Sequence, residues 1–185
     1  MNEFYLIDSP TYSKLEKLKK SYENLDIISV MLYLELNKAY KVMKKNYDKF
    51  SDEFGLTEAK FSIMMLLSYE ENMILSPSEL SKKIGNKKST ITGILKGLEQ
   101  QNLIQRVNIG QDKRTNYVQL TKEGQLKLQN FLPHNYDLVA DMFKAFDEEE
   151  KATFLNLVNK LRLNIEKDDN NGSNRIFRNF FKFIY

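Results

Sequence analysis

The sequence predicts a mainly α-helical fold that carries one two-stranded β-hairpin. Apolar residues recur every three to four positions along most of the 185 residues, as the buried face of a helix requires. Two runs that alternate between apolar and polar residues, 103–108 and 115–120, flank a hydrophilic turn around Gly110, and this alternation is typical of a hairpin. With 42% hydrophobic residues, the chain has enough apolar side chains for a packed core.

The N-terminal segment, residues 1–54, is predicted to be helical. Between positions 11 and 50, apolar residues at helical spacing indicate one long helix or two: Ile27, Ile28, Met31, Leu32, Leu36, Tyr40, Met43 and Tyr47. Gly55 interrupts the pattern, and Thr57 is the expected N-cap of the next helix. That helix contains FSIMMLLSY, which is apolar on nearly all sides, so we expect it to be buried.

Two short helices joined by a tight turn follow. Ser76, Pro77 and Glu79 have the spacing of a capping box with proline in the first helical position. Gly85 suits the left-handed backbone that ends many helices, and Asn102 can end the second helix in the same way. The apolar stripe of the second helix, STITGILKGLEQQ, comprises Ile91, Ile94, Leu95 and Leu98 and leaves Ser89, Thr90, Thr92, Gly93 and Lys96 outside.

The C-terminal part, residues 123–167, is predicted to form two helices. Thr121 is the expected N-cap of the first, and Pro133 is expected to kink or break it. Four acids at 147–150 stand where the helix dipole favours them, at the start of the last helix. The residues expected to face inward from that helix are Phe154, Leu157, Val158, Leu161 and Ile165. Residues 168–185 form a linker and an aromatic, basic tail, which we expect to pack on the helical domain rather than to lie on a membrane or stay disordered.

Positive charge is concentrated in the middle of the chain. Residues 82–114 hold eight lysines and arginines against two acids, a net charge of +6, whereas the whole chain carries only +3. A local basic surface of this kind is expected to face a polyanion. The alternative is a solvated lysine-rich face without a ligand.

Composition argues against several other classes of protein. The chain has no cysteine and one histidine, His134, which excludes disulfides, cysteine-based zinc sites and a histidine-clustered metal site within one chain. Catalysis would have to rely on carboxylates, which stand at helix starts or at positions expected to face solvent. We therefore expect that the protein is not an enzyme and that it has no catalytic residue, bound metal or cofactor. No apolar run is long enough to span a membrane, and the N-terminus lacks the features of a signal peptide. We therefore expect a cytoplasmic protein without a membrane partner.

The order of elements defines a winged helix–turn–helix within residues 55–122. Its second helix would place short polar side chains in the major groove of duplex DNA, where they can reach base edges. Ser89, Thr90, Thr92 and Lys96 meet this requirement. A winged helix used only for binding other proteins is the alternative, and the lysine-rich face argues against it.

The sequence resembles the MarR (multiple-antibiotic-resistance regulator) family of transcription factors. The motifs that support this resemblance are SELSKKIG, KSTITGILKGLE, NLIQR, Asp112-Lys113-Arg114 and LTKEG, in that order. Together they cover roughly residues 55–125. The resemblance implies a homodimer held together by the helices of 1–54 and 123–167, and sequence-specific binding of a pseudo-palindromic operator, most simply as a repressor. It also implies release from DNA by a small lipophilic or phenolic ligand, with a ligand-independent global regulator as the alternative.

The resemblance also assigns roles to individual residues. It places Lys87 and Lys88 near phosphates and Arg114 in the minor groove, with Asp112 orienting the wing and Lys113 as a neighbouring phosphate contact. Relatives commonly carry arginine where this chain has Gly93 and Gly97, so we expect the recognition helix to forfeit contacts and the wing to contribute more. Relatives also tend to have Ser or Thr as the cap where this chain has Lys87, and Asn86 is the expected substitute cap.

Overall fold

The computed structural model describes residues 10–108 and 117–170, with side-chain surroundings described up to residue 167. The helices are α1 (Tyr12–Lys19), α2 (Ile27–Glu53), α3 (Glu58–Ser68), α4 (Pro77–Ile84), α5 (Lys88–Gln100), α6 (Lys122–Met142) and α7 (Glu148–Asn170), and the strands are β1 (Ile74–Leu75), β2 (Ile104–Val107) and β3 (Tyr117–Leu120). The chain divides into two compact units, of which the first ends at His134 and the second begins at Asn135. The predicted mainly α-helical fold is confirmed.

The first three helices begin where side-chain caps satisfy free backbone N–H groups. Thr11 and Asp26 cap α1 and α2, so the N-terminal segment forms two helices. The hydroxyl oxygen of Thr57 accepts a hydrogen bond from the backbone N–H of Lys60 at 3.3 Å, which confirms the predicted start of α3. Gly55 has a φ of +62°, a conformation that favours glycine, and it separates α2 from α3.

Within the described residues the sheet contains three strands, one more than the hairpin that the sequence predicts. Antiparallel β2 and β3 form the hairpin, and β1 pairs with the other edge of β3, giving the order β1-β3-β2. The backbone N–H of Leu120 also donates to the carbonyl of Met73 at 3.1 Å. Because β1 has only two residues, it is too short to show an alternating pattern, and its pairing with β3 alone makes it a strand.

The core of the first unit joins α3, α4, α5, the sheet and the start of α6. Its fully buried residues include Ile63, Met64, Leu67, Leu80, Ile91, Leu95, Leu98, Val118 and Phe131. The ring of Phe131 lies 4.8 Å from that of Phe61 and 5.2 Å from those of Phe50 and Phe54, so aromatic rings seal one side of this core. The predicted burial of α3 and of the α5 stripe is confirmed, although Ile94 is only partly buried and Tyr69, the last residue of FSIMMLLSY, is exposed.

The C-terminal helices differ from the predictions in two respects. Helix α6 runs through Pro133, so the predicted break there is wrong, whereas the alternative, a kink, stays a prediction. A proline removes one backbone hydrogen bond, whereas Leu128 and Phe131 of the same helix are buried in the core and hold it in place. In α7, the residues expected to face inward are all exposed in the single chain: Phe154, Leu157, Val158, Leu161 and Ile165. Within the described residues, no helix is long and apolar enough to cross a membrane.

Candidate nucleic-acid interface

Helix α4 is closed at both ends by interactions that the sequence predicts. The hydroxyl oxygen of Ser76 accepts from the backbone N–H of Glu79 at 3.2 Å, and the carboxylate of Glu79 accepts from the backbone N–H of Ser76 at 2.7 Å. That second hydrogen bond is the main reason why the pKa of Glu79 lies below its ordinary value. At the other end, Gly85 has a φ of +73° and its N–H donates to the carbonyl of Ser81.

Helix α5 begins without any side-chain cap. Its N-cap residue is Lys87, which makes no capping hydrogen bond, so the prediction that Asn86 caps the helix is wrong. The backbone of Asn86 belongs to the end of α4 instead, because its N–H donates to the carbonyl of Ser81 and its own carbonyl accepts from the Ser81 hydroxyl at 2.6 Å. The N-terminus of α5 therefore presents unpaired backbone N–H groups together with Lys87 and Lys88.

One face of α5 is buried and the opposite face is open. Ile91, Leu95 and Leu98 have no exposed surface. The six residues on and just before this helix that are predicted to contact DNA are all exposed: Lys87, Lys88, Ser89, Thr90, Thr92 and Lys96. The structure thus brings these six side chains to a single continuous surface, which we call the α5 face.

Among the described lysines and arginines of the basic segment 82–114, some form ion pairs with carboxylates and others do not. Lys83 lies 3.0 Å from the carboxylate of Glu70, and Arg106 lies 3.6 Å from that of Glu99. Among the described residues, no carboxylate lies within ion-pair distance of Lys87, Lys88 or Lys96 on the α5 face, or of Lys82 in α4. Positive charge without an internal partner is therefore concentrated beside and along α5.

The two glycines of α5 have different surroundings. A Cβ atom added to Gly93 would meet nothing within 4 Å. A Cβ atom added to Gly97 would lie 3.3 Å from Cε of Lys60, a residue of α3 whose ammonium group donates to the side chain of Gln101 at 2.9 Å. Gly93 is bare, as predicted, whereas Gly97 lies beneath the side chain of Lys60. This role of Lys60 could not be predicted from the sequence, because no local pattern links residues so far apart.

The base of the hairpin is fixed by contacts with the start of α6. The hydroxyl of Thr121 donates to the carbonyl of Asn102 at 2.7 Å and accepts from the N–H of Gly124 at 3.0 Å. A Cβ atom at Gly124 would lie 2.2 Å from the carbonyl oxygen of Leu103, so only glycine fits there. Asp112, Lys113 and Arg114, the wing residues of the sequence analysis, lie outside the described residues.

Other candidate sites from the sequence have ordinary structural surroundings. In the described part of the chain, no group of three or more histidine or carboxylate side chains could hold a metal ion. The ring of His134 is exposed and lies 5.5 Å from that of Phe54. Among the methionine and tyrosine side chains that could contact a lipophilic ligand, Met64 is buried in the core, whereas Tyr40 and Tyr69 are mostly exposed, so these three do not share one enclosed site.

Together, α4, α5 and the β2–β3 hairpin form a winged helix–turn–helix, the class of domain that inserts a helix into the DNA major groove. The MarR family profile matches residues 56–115 of the chain. The HTH-type transcriptional repressor YetL of Bacillus subtilis is 34% identical over 161 residues, which cover 86% of this chain and 96% of YetL. The chain belongs to the MarR family, and it is a transcriptional regulator.

Solved structures show the same architecture. AbsC, a MarR family transcriptional regulator from Streptomyces coelicolor, matches with a TM-score of 0.70 and 20% identity over 77% of this chain and 97% of AbsC. Sco3205, a MarR family regulator from the same organism solved in complex with DNA, matches with a TM-score of 0.68 and 18% identity over 75% of this chain and 88% of Sco3205. At these identities the likeness shows the fold alone, and it confirms the predicted winged-helix class.

Proposed function

We propose that this regulator is a repressor that binds a pseudo-palindromic DNA operator as a homodimer, with the α5 face of each chain in a major groove. The observation that carries the proposal is the start of α5, where two lysines adjoin an N-terminus that no side chain caps. The whole α5 face is exposed and lies opposite the buried side of the helix.

The start of α5 is electrostatically unfavourable unless an anion binds there. The dipole of a helix places partial positive charge at its N-terminus, where cations destabilise it by a few tenths of a kcal/mol to about 1 kcal/mol. This chain places Lys87 and Lys88 at that position and has no acid in the first turn of α5. A DNA phosphate would accept hydrogen bonds from the unpaired N–H groups and neutralise both lysines. The start of α5 is therefore electrostatically more favourable with DNA bound than in the free protein.

The remaining contacts are assigned by chemistry and by the family resemblance. Ser89, Thr90, Thr92 and Lys96 would contact base edges or adjacent phosphates from the exposed face of α5. In the wing, Arg114 would enter the minor groove, Asp112 would orient it and Lys113 would contact a phosphate. The wing is anchored at its base by Thr121 and Gly124, which supports this assignment because a fixed base limits where the tip can reach.

The exposed apolar surfaces of the helices support a homodimer. On α2, Ile28, Leu32 and Tyr40 share one helical face, and each is exposed by 59% or more. On α7, the exposed apolar stripe includes Leu157 and Leu161. Apolar stripes of this length are unfavourable in water, and a second copy of the chain would cover them. We propose that residues 1–54 and 123–167 supply the dimer interface and residues 55–122 bind DNA, with half-site centres about 34 Å apart.

The proposal extends to regulation and location. YetL is named a repressor, and occupying an operator is the simplest way to block transcription. Release by a small lipophilic or phenolic ligand is the regulatory step that the family resemblance suggests, and a regulator without such a ligand is the alternative. We place the protein in the cytoplasm, because a bacterial-type regulator acts where its DNA is, and we assign it no catalytic role.

The experiment is a selection of bound duplexes from a random DNA pool, followed by affinity measurements on the enriched sequence. We expect a pseudo-palindrome and a steep loss of affinity between 50 and 200 mM salt, because bound phosphates release counterions. Lys88→Gln should reduce the slope of log K against log salt by about 1. The matched control is Lys160→Gln, which removes one positive charge from an exposed position of α7.

Two outcomes would contradict the proposal. If no duplex is enriched, the winged helix does not read DNA sequence, and the protein-interaction alternative gains support. If Lys88→Gln and Lys160→Gln have the same effect on the salt slope, the α5 face does not contact phosphates.

A further inference from the structure

The hydroxyl of Thr92 is already committed within its own helix. Its Oγ1 donates to the backbone carbonyl of Lys88, one turn earlier, at 2.8 Å. Thr92 is nevertheless exposed on the α5 face. Ser89 and Thr90, also exposed, make no such side-chain hydrogen bond to any described residue. Thr92 therefore differs from the two other hydroxyl residues of this face.

This hydrogen bond leaves Thr92 without a donor for DNA. A hydroxyl has one proton, and the hydrogen bond directs that proton at the Lys88 carbonyl. While this hydrogen bond is kept, Thr92 does not donate to the acceptor atoms of guanine, adenine or thymine in the major groove. Because threonine is branched at Cβ, its methyl group takes a different staggered position from the oxygen that turns back toward the preceding turn, and the side chain is exposed. The group that Thr92 presents outward is therefore apolar.

The surroundings of Thr92 suit an apolar contact with a base. The next residue is Gly93, where a Cβ atom would meet nothing within 4 Å, so position 93 has no side chain that would keep a base edge away from the helix. Lys88 and Lys96 lie four residues before and after Thr92, on the same ridge of the helix. Both lysines are exposed, and each can reach a phosphate on either side. Along this ridge, the methyl group of Thr92 therefore lies between the positive charges of Lys88 and Lys96.

We propose that Thr92 recognises the 5-methyl group of a thymine in each half-site through its own methyl group, and not by hydrogen bonding to a base. In the major groove, only thymine among the four ordinary bases carries a methyl group, and threonine methyl groups are known partners for it. This inference rests on the proposed function, since it requires the α5 face to lie in the major groove.

The test replaces each thymine of the selected operator by deoxyuridine, which removes only the 5-methyl group. The affinity of each duplex is measured for the wild-type chain, Thr92→Val and Thr92→Ser. Valine keeps a methyl group and loses the hydroxyl, whereas serine keeps the hydroxyl and loses the methyl. Because Thr92 is exposed, the two substitutions should leave the folding of the domain intact, and thermal unfolding of each variant checks this.

We expect one thymine per half-site at which deoxyuridine weakens binding of the wild-type chain about fourfold, the effect of losing one buried methyl contact. Thr92→Val should show the same penalty at that position. Thr92→Ser should bind the thymine duplex about as weakly as the wild-type chain binds the deoxyuridine duplex, and it should show no further penalty with deoxyuridine.

The inference is overturned if Thr92→Ser keeps the wild-type penalty, if Thr92→Val loses it, or if no thymine methyl group affects binding. In each of these cases DNA binding persists and the proposed function stands. If the random pool yields no bound duplex, the proposed function fails and this inference fails with it. The two failures are therefore distinguishable.

Discussion

The side chain of Lys60 in α3 lies across Gly97 in α5, with its Cε atom 3.3 Å from the position that a Cβ atom of Gly97 would occupy. Its ammonium group continues to the side chain of Gln101, to which it donates a hydrogen bond at 2.9 Å. The last turn of α5 contains no basic residue of its own. Lys60 therefore brings a cation close to the C-terminal end of the recognition helix, where the helix dipole favours it.

Substituting the two glycines of α5 by alanine should give unequal results. Gly93→Ala should stabilise the protein by about 1 kcal/mol, because alanine is the better helix former and the site is open. Gly97→Ala should stabilise it less, because Lys60 must shift to make room. Urea unfolding at equal protein concentration measures both. Equal gains would show that Lys60 does not occupy the space over Gly97.

Gly124→Ala should destabilise the winged domain by about 2 kcal/mol, the middle of the range for forcing a methyl group into a packed site. The added Cβ atom would lie 2.2 Å from the carbonyl oxygen of Leu103 and 2.8 Å from Cδ1 of Leu120. The backbone of Leu103 cannot move aside as easily as a flexible side chain such as that of Lys60. Thermal unfolding measures the loss, and Gly93→Ala is the control that makes the same chemical change in open space. A Gly124→Ala protein as stable as the wild type would mean that the base of the wing is not tightly packed.

Stability should decrease at acidic pH partly through Glu79. The backbone N–H of Ser76 lowers the pKa of Glu79 below its ordinary value of 4.5. A carboxyl group whose pKa is lower in the folded state stabilises the fold above the unfolded pKa, and this stabilisation is lost as pH falls through the folded pKa. The loss should therefore lie below about pH 4.5. The pKa of Asp26, which is lowered mainly by the Ser29 hydroxyl, acts in the same direction.

The check is the urea midpoint of wild type and Glu79→Gln at neutral pH and at low pH. Glu79→Gln should be the less stable at neutral pH, and the difference between the two proteins should shrink on acidification. The control is Glu71→Gln, since Glu71 is an exposed residue outside any helix and caps none. A difference between wild type and Glu79→Gln that does not change with pH would contradict the capping role of the carboxylate.

Leu161→Glu should convert the proposed dimer into monomers at micromolar concentration, because it places a charge within the exposed apolar stripe of α7. The matched control, Asn159→Glu, adds the same charge at an exposed position on another side of that helix. Sedimentation velocity gives the molecular mass of each variant. If Leu161→Glu sediments as the wild type does, the α7 stripe does not form the interface between chains.

The sequence predicted many local features because they depend on residues close together in the chain. The capping box of Ser76 and Glu79 joins positions three apart, and Thr57 caps α3 over the same separation. Asn102 adopts the left-handed conformation that its residue type tolerates, with a φ of +57°. The helical spacing of the apolar residues in α5 also indicated which side of the helix is exposed. The positions of Ser89 and Thr92 on the α5 face could therefore be predicted.

Other predictions depended on where distant parts of the chain meet. The cap of α5 was predicted wrongly because Asn86 is held by the end of α4, where its carbonyl accepts a hydrogen bond from Ser81. The stripe on α7 was expected to be buried, since an apolar period indicates a face that avoids water but does not indicate what covers it. In the single chain, Leu157 and Leu161 of that stripe are exposed.

The sequence by itself determined the class of fold, the ends of most helices and the chemistry of the α5 face. Hydrogen bonds and helical periods within a few residues are set by residue type, and they need no knowledge of the rest of the chain. Only the tertiary structure decided that Lys60 covers Gly97, that Gly124 adjoins the carbonyl of Leu103 and that β1 joins the sheet. Each of these contacts joins segments far apart in sequence, and their geometry exists only once the core has brought them together.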